Sequence, residues 1–292
     1  MILRARQRCI DFPRRPLVMG IVNINDGSFC GDGTLDISAA FAQAQSMAEH
    51  GADIIDAGAE SARTNRGPIT VDEECLRFLP FIARWQGWVA TLPPEPPVPD
   101  QVWPPLLSLN TWREEVVAAV LPVGGDLLND IGGLPDNTNA RLCARYGAAL
   151  LIMHTVGAPK EKHTHVHYPD IMDAMRQFFA GRLAIAAAAG LPADSTVLDP
   201  GLDFAKQQED NLCIVRQLDQ LHQFQRPVLL PVSRKTFIGQ TLSQKNPLGR
   251  DPGTIACIAA GIARGAAIFR VHHVEAAVAA IRVLHRLADS KG

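Results

Sequence analysis

What this chain does not contain narrows its function before any motif is read. No apolar run reaches membrane-spanning length, and the N-terminal MILRARQRCIDFPRRP has none of the hydrophobic core that marks a signal peptide. A soluble cytoplasmic protein, with no membrane partner, is the expectation. Lysine and arginine are scattered and the formal net charge is −2, so there is no basic stripe for nucleic acid. Cys9, Cys30, Cys75, Cys143, Cys213 and Cys257 stand far apart, with no CxxC pair and no His/Cys spacing for zinc. They read as free thiols in a reducing compartment. No GxGxxG follows the first strand-like run, which argues against a dinucleotide-binding open sheet. No G-x-S-x-G elbow is present, which removes an esterase nucleophile.

What is present is a rhythm. Short apolar runs at 17–23, 52–58, 106–110, 127–131, 148–154, 196–201, 227–232 and 266–272 have strand length. Stretches of helical spacing follow them at 36–51, 70–85, 112–121, 137–146, 169–189, 208–222, 251–264 and 274–288. Strands apolar on both faces must be covered on both faces, as in a parallel sheet packed by helices. Eight such pairs in 292 residues predict a single (β/α)₈ TIM barrel over 1–292. Residues 93–105 carry proline too densely for helix or interior strand. They read as an extended surface insertion, because the strand–helix rhythm resumes directly behind them.

In such a barrel the carboxyl ends of the strands converge on one mouth. That mouth is expected to receive Asn23, Glu60 with Arg63, Asn110, Asn129 with Asp130, His154, Asp199, Ser233 with Lys235, and Arg270 with His272. Arg63, Arg270 and His272 can offer planar and ring donors to an anion such as phosphate or pyrophosphate. Asn129 and Asp199 offer amide and carboxylate edges suited to a flat heterocycle, and Lys235 suits a ring carbonyl or ring nitrogen. The residue types alone point to a barrel enzyme acting on an anionic, phosphorylated heterocycle.

The motifs add a resemblance. Met19-Gly20-Ile21-Val22-Asn23, then Gly51-Ala52-Asp53-Ile54-Ile55-Asp56 with Glu60-Ser61-Ala62-Arg63, resemble dihydropteroate synthase. So do Asn129-Asp130-Ile131, Met153-His154, Leu198-Asp199-Pro200-Gly201, Ser233-Arg234-Lys235 and Arg270-Val271-His272, in the family's order and across nearly the whole chain. The resemblance implies the same barrel and a transferase of folate synthesis. That enzyme condenses 6-hydroxymethyl-7,8-dihydropterin pyrophosphate with p-aminobenzoate and releases pyrophosphate, with Mg²⁺ assisting. By analogy Asn110, Asn129, Asp199 and Lys235 hold the pterin, and Asn110, Asp199 and Lys235 form the catalytic set. Arg63, Arg270 and His272 bind pyrophosphate, Asn23 positions the metal, and Phe29, Phe204 and Thr236 are the amine-site candidates. A homodimer, with a pterin pyrophosphate and an aromatic amine as its small-molecule partners, completes the expectation.

The departures are as informative. Leu109-Asn110-Thr111 stands where the family has Val-Asp-Thr, so a carboxylate is replaced by an amide. Asn23-Ile24-Asn25-Asp26-Gly27-Ser28-Phe29 replaces Asn-Val-Thr-Pro-Asp-Ser-Phe, and its carboxylate is expected to have moved to Asp26. Ala62 and Thr64 stand where Thr and Pro are usual, and Asp203-Phe204-Ala205 replaces Gly-Phe-Gly. A divergent paralogue, binding pterin but using another amine or none, is the alternative reading. A methyl-transfer pterin domain shares the barrel, but the Ser-Arg-Lys and Arg-Val-His blocks argue against it.

Overall fold

The computed structural model describes residues 1–27, 30–62, 64, 66–161 and 166–289. An antiparallel hairpin, β1 (Ile2–Ala5) and β2 (Arg8–Asp11), comes first and was not expected. The chain then alternates: β3 (Leu17–Asn23), α1 (Ile37–Glu49), β4 (Ile54–Gly58), α2 (Val71–Val89), β5 (Leu106–Asn110), α3 (Glu114–Val120) and β6 (Leu127–Asp130). It continues through α4 (Thr138–Tyr146), β7 (Ala149–Met153), α5 (Ile171–Ala188), β8 (Thr196–Asp199), α6 (Gln208–Arg216) and β9 (Leu229–Leu230). It ends with α7 (Thr236–Thr241), α8 (Asp251–Ala263), β10 (Ile268–Val271) and α9 (Val274–Asp289).

Strands β3 to β10 form one eight-stranded parallel sheet in the order β8-β7-β6-β5-β4-β3-β10-β9. A single parallel bridge, Leu198 to Val228, joins its two ends and closes the barrel. Successive residues of a strand point to opposite faces. So Leu17, Met19, Ile54, Leu106, Leu127 and Leu151 fill the barrel, while Val18, Val22, Ile55, Leu107, Leu109 and Leu150 pack under the helices. Each such side chain contributes about 1.5–3 kcal/mol when fully buried. The hairpin belongs to the inner cluster: Leu3, Ala5 and Ile10 plug the amino-terminal end, leaving the carboxyl end open.

Local chemistry fixes the boundaries. Thr70 caps α2 by accepting the Glu73 backbone N–H at 3.1 Å, but the Glu73 carboxylate turns to Arg77, so only half of a capping box forms. Helix α2 runs on to Val89 because Pro80 lies on its exposed side and Trp85 and Trp88 continue the packing against Phe81 and Phe41. The helix expected over 208–222 is instead α6 followed by a 3₁₀ turn, Leu218–Phe224. The short α7, directly after Lys235, was not expected either. Buried Asp53 ties the insertion down: it accepts Arg15 Nη1 and Nη2 at 2.9 and 3.0 Å and the Val18 and Val102 N–H groups at 2.8 Å. Four donors satisfy a carboxylate that burial would otherwise make costly. No helix among the described residues is long and apolar enough to cross a membrane.

Candidate active site

The open end of the barrel holds a cavity of about 810 Å³. Asn23, Glu60, Asn110, Asn129, Asp199, Lys235, Arg270 and His272 line it, as do the amine-site candidates Phe204 and Thr236. Arg63 and Phe29 lie outside the described residues. Of the expected mouth residues described, Asp130, His154 and Ser233 do not line it, the first two because strand residues alternate. Asn129 and Met153 line the cavity, so Asp130 and His154, the next residues, point outward. Asp130 accepts Asn139 Nδ2 at 2.9 Å, and burial raises its carboxyl to about 6. His154 packs edge-on against Phe178 with 4.8 Å between ring centroids, and burial lowers it to about 2. Asp26 is exposed and does not line the cavity, so it does not replace a lost carboxylate. Glu60 is spent on anchoring: Arg113 and Lys160 each approach it to 2.6 Å.

The floor is organised around a residue the sequence reading passed over, Asp56. It is fully buried near the carboxyl end of β4. Its oxygens accept Ser108 Oγ at 2.6 Å, Asn110 Nδ2 at 3.3 Å, and Asn129 Nδ2 at 3.2 and 3.1 Å. Arg270 completes the set, with Nε and Nη2 both 2.7 Å from Oδ2. A buried carboxylate is tolerable only when paired and hydrogen-bonded, and this one is both. It also sets direction. With both amide nitrogens drawn to Asp56, the amide oxygens of Asn110 and Asn129 turn the other way as acceptors. Asn129 Oδ1 is buried and has no partner among the described residues. A heterocycle rich in N–H donors would satisfy it.

Opposite lies Asp199, at the end of β8. Its Oδ1 accepts the Gly201 N–H at 2.6 Å, and burial pushes its carboxyl up to about 6. Lys235 Nζ donates to the Leu202 carbonyl at 2.8 Å and lies 5.0 Å from the Phe204 ring centroid. Burial lowers its pKa. Lys206, also overlooked, ties the loop beneath Phe204 by donating to the carbonyls of His154, Gly201 and Phe204 at 3.1, 3.0 and 2.9 Å. Burial brings its ammonium down to about 7. At the rim, His272 Nδ1 meets Ser233 Oγ at 2.8 Å, and burial lowers the ring to about 3, so it is neutral. Arg234 turns aside to a bidentate pair with Asp251 at 2.7 and 2.9 Å.

Comparison with known proteins agrees with this geometry. The sequence profile of the pterin-binding enzyme family matches residues 19–272. The dihydropteroate synthase of Synechocystis is 36% identical over 272 residues, covering 92% of this chain and 89% of that protein. The Yersinia pestis dihydropteroate synthase, solved with a sulfonamide drug, superposes with a TM-score of 0.87 at 31% identity, covering 100% of both chains. The Thermus thermophilus enzyme, solved with 4-aminobenzoate, gives 0.83 at 31% identity, covering 98% of this chain and 100% of that one. The chain belongs to the dihydropteroate synthase family of pterin-binding enzymes.

As a family member it is a transferase, and its departures acquire physical content. Asp203 and Ala205, which stand where glycine is usual in dihydropteroate synthases, have φ of 67° and 51°. A non-glycine residue in that region costs about 1 kcal/mol or more. Asp203 offsets its share, since its carboxylate accepts the Thr236 and Phe237 backbone N–H groups that open α7. No hydrogen bond among the described residues offsets it at Ala205. Gly201, retained from the family, has φ of 63°, and a Cβ there would come within 2.1 Å of the His154 carbonyl oxygen. Cys30, Asp32 and His272, remote in sequence, come together at the rim, with one ligand atom of each within 4.8 Å of the others.

Proposed function

We propose that this cavity condenses 6-hydroxymethyl-7,8-dihydropterin pyrophosphate with p-aminobenzoate and releases pyrophosphate. The observation that carries the proposal is the floor built on Asp56, which aims the Asn110 and Asn129 amide oxygens at a donor-rich ring. Asp199 would pair with the guanidine-like edge of the pterin, and Lys235 with a ring carbonyl or ring nitrogen. Arg270, held by Asp56, and His272 would take the pyrophosphate. As the methylene C–O bond breaks, positive charge develops on the pterin and negative charge on the departing pyrophosphate. A buried carboxylate beneath the first and a guanidinium beside the second stabilise both without reorganising. The amine nitrogen then forms the new C–N bond and loses its proton. Phe204, against Lys235, and Thr236 border the side from which the amine would enter.

The proposal includes Mg²⁺ as the assisting ion. A hard cation takes oxygen ligands, and the Asn23 amide and the Asp32 carboxylate are of that type, 3.2 Å apart between Asn23 Nδ2 and Asp32 Oδ1. When bound, Mg²⁺ would neutralise pyrophosphate charge. It also includes a cytoplasmic homodimer. Exposed Val283 and Leu287, i and i+4 on α9, offer an apolar strip for self-association.

The deciding assay incubates the protein with Mg²⁺, the dihydropterin pyrophosphate and p-aminobenzoate, and follows pyrophosphate and dihydropteroate separately. Equal rates for both support the synthase. Pyrophosphate without dihydropteroate indicates a different amine acceptor, and neither product indicates a pterin-binding paralogue.

A further inference from the structure

We infer that Lys206 is a positioning residue for the acceptor amine: its ammonium fixes the wall of the cavity that presents Phe204. Three carbonyls converge on Lys206 Nζ, those of His154, Gly201 and Phe204, at 3.1, 3.0 and 2.9 Å. An ammonium has three N–H donors and no acceptor, so this set uses every one. His154 directly follows β7, whereas Gly201 and Phe204 lie just beyond β8. The His154 N–H donates in turn to the Asp199 carbonyl at 2.8 Å. Lys206 therefore clamps the loop of residues 201–205 to the neighbouring strand end.

The loop needs that clamp. Asp203 and Ala205 have positive φ on either side of Phe204, and such conformations persist only where the surroundings over-determine them. Asp203 is held from outside: its N–H donates to Asn211 Oδ1 at 2.8 Å, and its carboxylate accepts the Thr236 and Phe237 N–H groups. Ala205 has no such hold, so its turn depends on the grip that Lys206 keeps on the Phe204 carbonyl directly before it. Both ends of the Phe204 backbone are thereby fixed, because its N–H donates to the Gly201 carbonyl at 3.1 Å. With the backbone set, the ring lines the cavity, 5.0 Å from Lys235 Nζ, on the side assigned to the amine.

The clamp is also sensitive to pH. Burial brings the Lys206 ammonium down to about 7, with Asp199, Asp210 and Asp203 opposing the loss of its proton and Lys235 favouring it. The His154 ring on the adjoining strand end is neutral, since burial lowers it to about 2. A neutral amine keeps two N–H groups, so one of the three carbonyls loses its donor once the proton leaves. The amine side should therefore be firmly held at pH 6 and looser at pH 9. The amine in this inference rests on the synthase reading, but the ordering of the loop is a property of the protein alone.

The test compares the full-length wild type with Lys206→Met by hydrogen–deuterium exchange and by steady-state kinetics. In the free protein the amides of residues 201–205 should exchange about tenfold faster in the variant, while those of β8 exchange as in wild type. In turnover the KM for p-aminobenzoate should rise by about tenfold, with kcat and the KM for the dihydropterin pyrophosphate nearly unchanged. Asp199 and Lys235 titrate in both proteins, so the variant-to-wild-type ratio of amine KM isolates Lys206. That ratio should shrink several-fold between pH 6 and pH 9 as the wild type loosens. Should Lys206→Met fail to fold, wild type alone decides: residues 201–205 should lose protection between the two pH values, after correction for intrinsic exchange. Exchange of residues 201–205 that ignores both the variant and pH overturns the clamp. Dihydropteroate formed with an unchanged amine KM in the variant, or a KM ratio flat with pH, overturns the role of Lys206 and leaves the synthase reading intact. A wild type that makes no dihydropteroate refutes the synthase reading and the amine role with it, and the exchange result then still decides the clamp.

Discussion

Asp56 and Asn110 stand on adjacent strands with the Asn110 amide nitrogen 3.3 Å from Asp56 Oδ2. Where the family has a second carboxylate, this chain has an amide that donates to the first. The carboxylate charge at this level of the barrel is therefore concentrated on Asp56, which also holds Arg270 at 2.7 Å. Asp56→Asn should lower kcat/KM by roughly 30- to 150-fold, the equivalent of about 2–3 kcal/mol for a buried charged partner. Steady-state kinetics with a parallel unfolding curve checks this. A variant that folds normally and keeps wild-type kcat/KM would remove Asp56 from the centre of the site.

Arg270 is held by the same carboxylate, so its removal has two separable effects. Arg270→Ala should weaken pyrophosphate binding by about 1.5–3 kcal/mol, the scale of charge-assisted hydrogen bonds. It should also destabilise the fold by about 3–5 kcal/mol, because Asp56 stays buried without its cation. Arg270→Lys should recover much of the stability but little of the pyrophosphate affinity, since an ammonium cannot reproduce the planar fork. Calorimetric titration with pyrophosphate and urea unfolding read the two effects. Unchanged pyrophosphate affinity in both variants contradicts the assignment.

Asp199 makes stability oppose function. Burial raises its carboxyl from the ordinary 3.8 to about 6 in the folded protein. Below pH 4 the group is protonated whether folded or unfolded, and burial of its charge costs nothing. Between those two values the unfolded chain ionises first, so stability falls as pH rises, by about 3 kcal/mol in all. Asp199→Asn should thus match wild type near pH 4 and exceed it in stability at pH 8. Its pterin binding should collapse, because the donors of the bound ring lose their carboxylate. Urea unfolding at the two pH values, with pterin titration at pH 8, checks both halves. A stability gap that does not grow with pH would show that Asp199 is not a buried charge.

The barrel was legible because its signal is distributed: apolar runs on both strand faces, repeated with helical spacing between, leave one architecture. β5 falls on its expected bounds, and β3 does too. The amino-terminal hairpin was missed since Leu3, Ala5 and Ile10 alternate over too few residues to outweigh the arginines around them. At the site, strand ends were read as if every terminal polar residue faced inward. Alternation sends Asp130 and His154 the other way, and only inter-strand register decides which parity wins. Asp56 was overlooked for the complementary reason: it lies inside an apolar run two residues before β4 ends. A carboxylate in a buried strand was the available signal, since it demands partners. Cys30 with His272 carried no sequence signal at all, because only barrel closure brings the ends of the chain together.

The final prediction restores the family's second carboxylate. Asn110→Asp would set two carboxylates roughly 3–4 Å apart, a repulsion of about 4 kcal/mol at an effective dielectric near 20 and an upper figure. Arg270 relieves part of it. One of the two carboxyls should consequently titrate well above the usual carboxylate range. At pH near 6 the variant should resemble wild type, because a protonated aspartic acid is close to an amide in shape and charge. As pH rises and the second carboxylate ionises, pyrophosphate release should accelerate relative to wild type, by about tenfold if a third of that Coulomb energy acts on the pterin cation. Stability should move the opposite way. A carboxyl raised in the folded state is destabilising above its unfolded value, so the variant should unfold more easily at pH 8 than wild type but not near pH 4. Asp26→Ala should alter neither trend, given its exposed position away from the cavity. Rate ratios and unfolding midpoints across this pH range provide the test. A ratio that is flat with pH, or a faster variant whose stability does not fall, would show that the charge under the pterin comes from a group other than this pair.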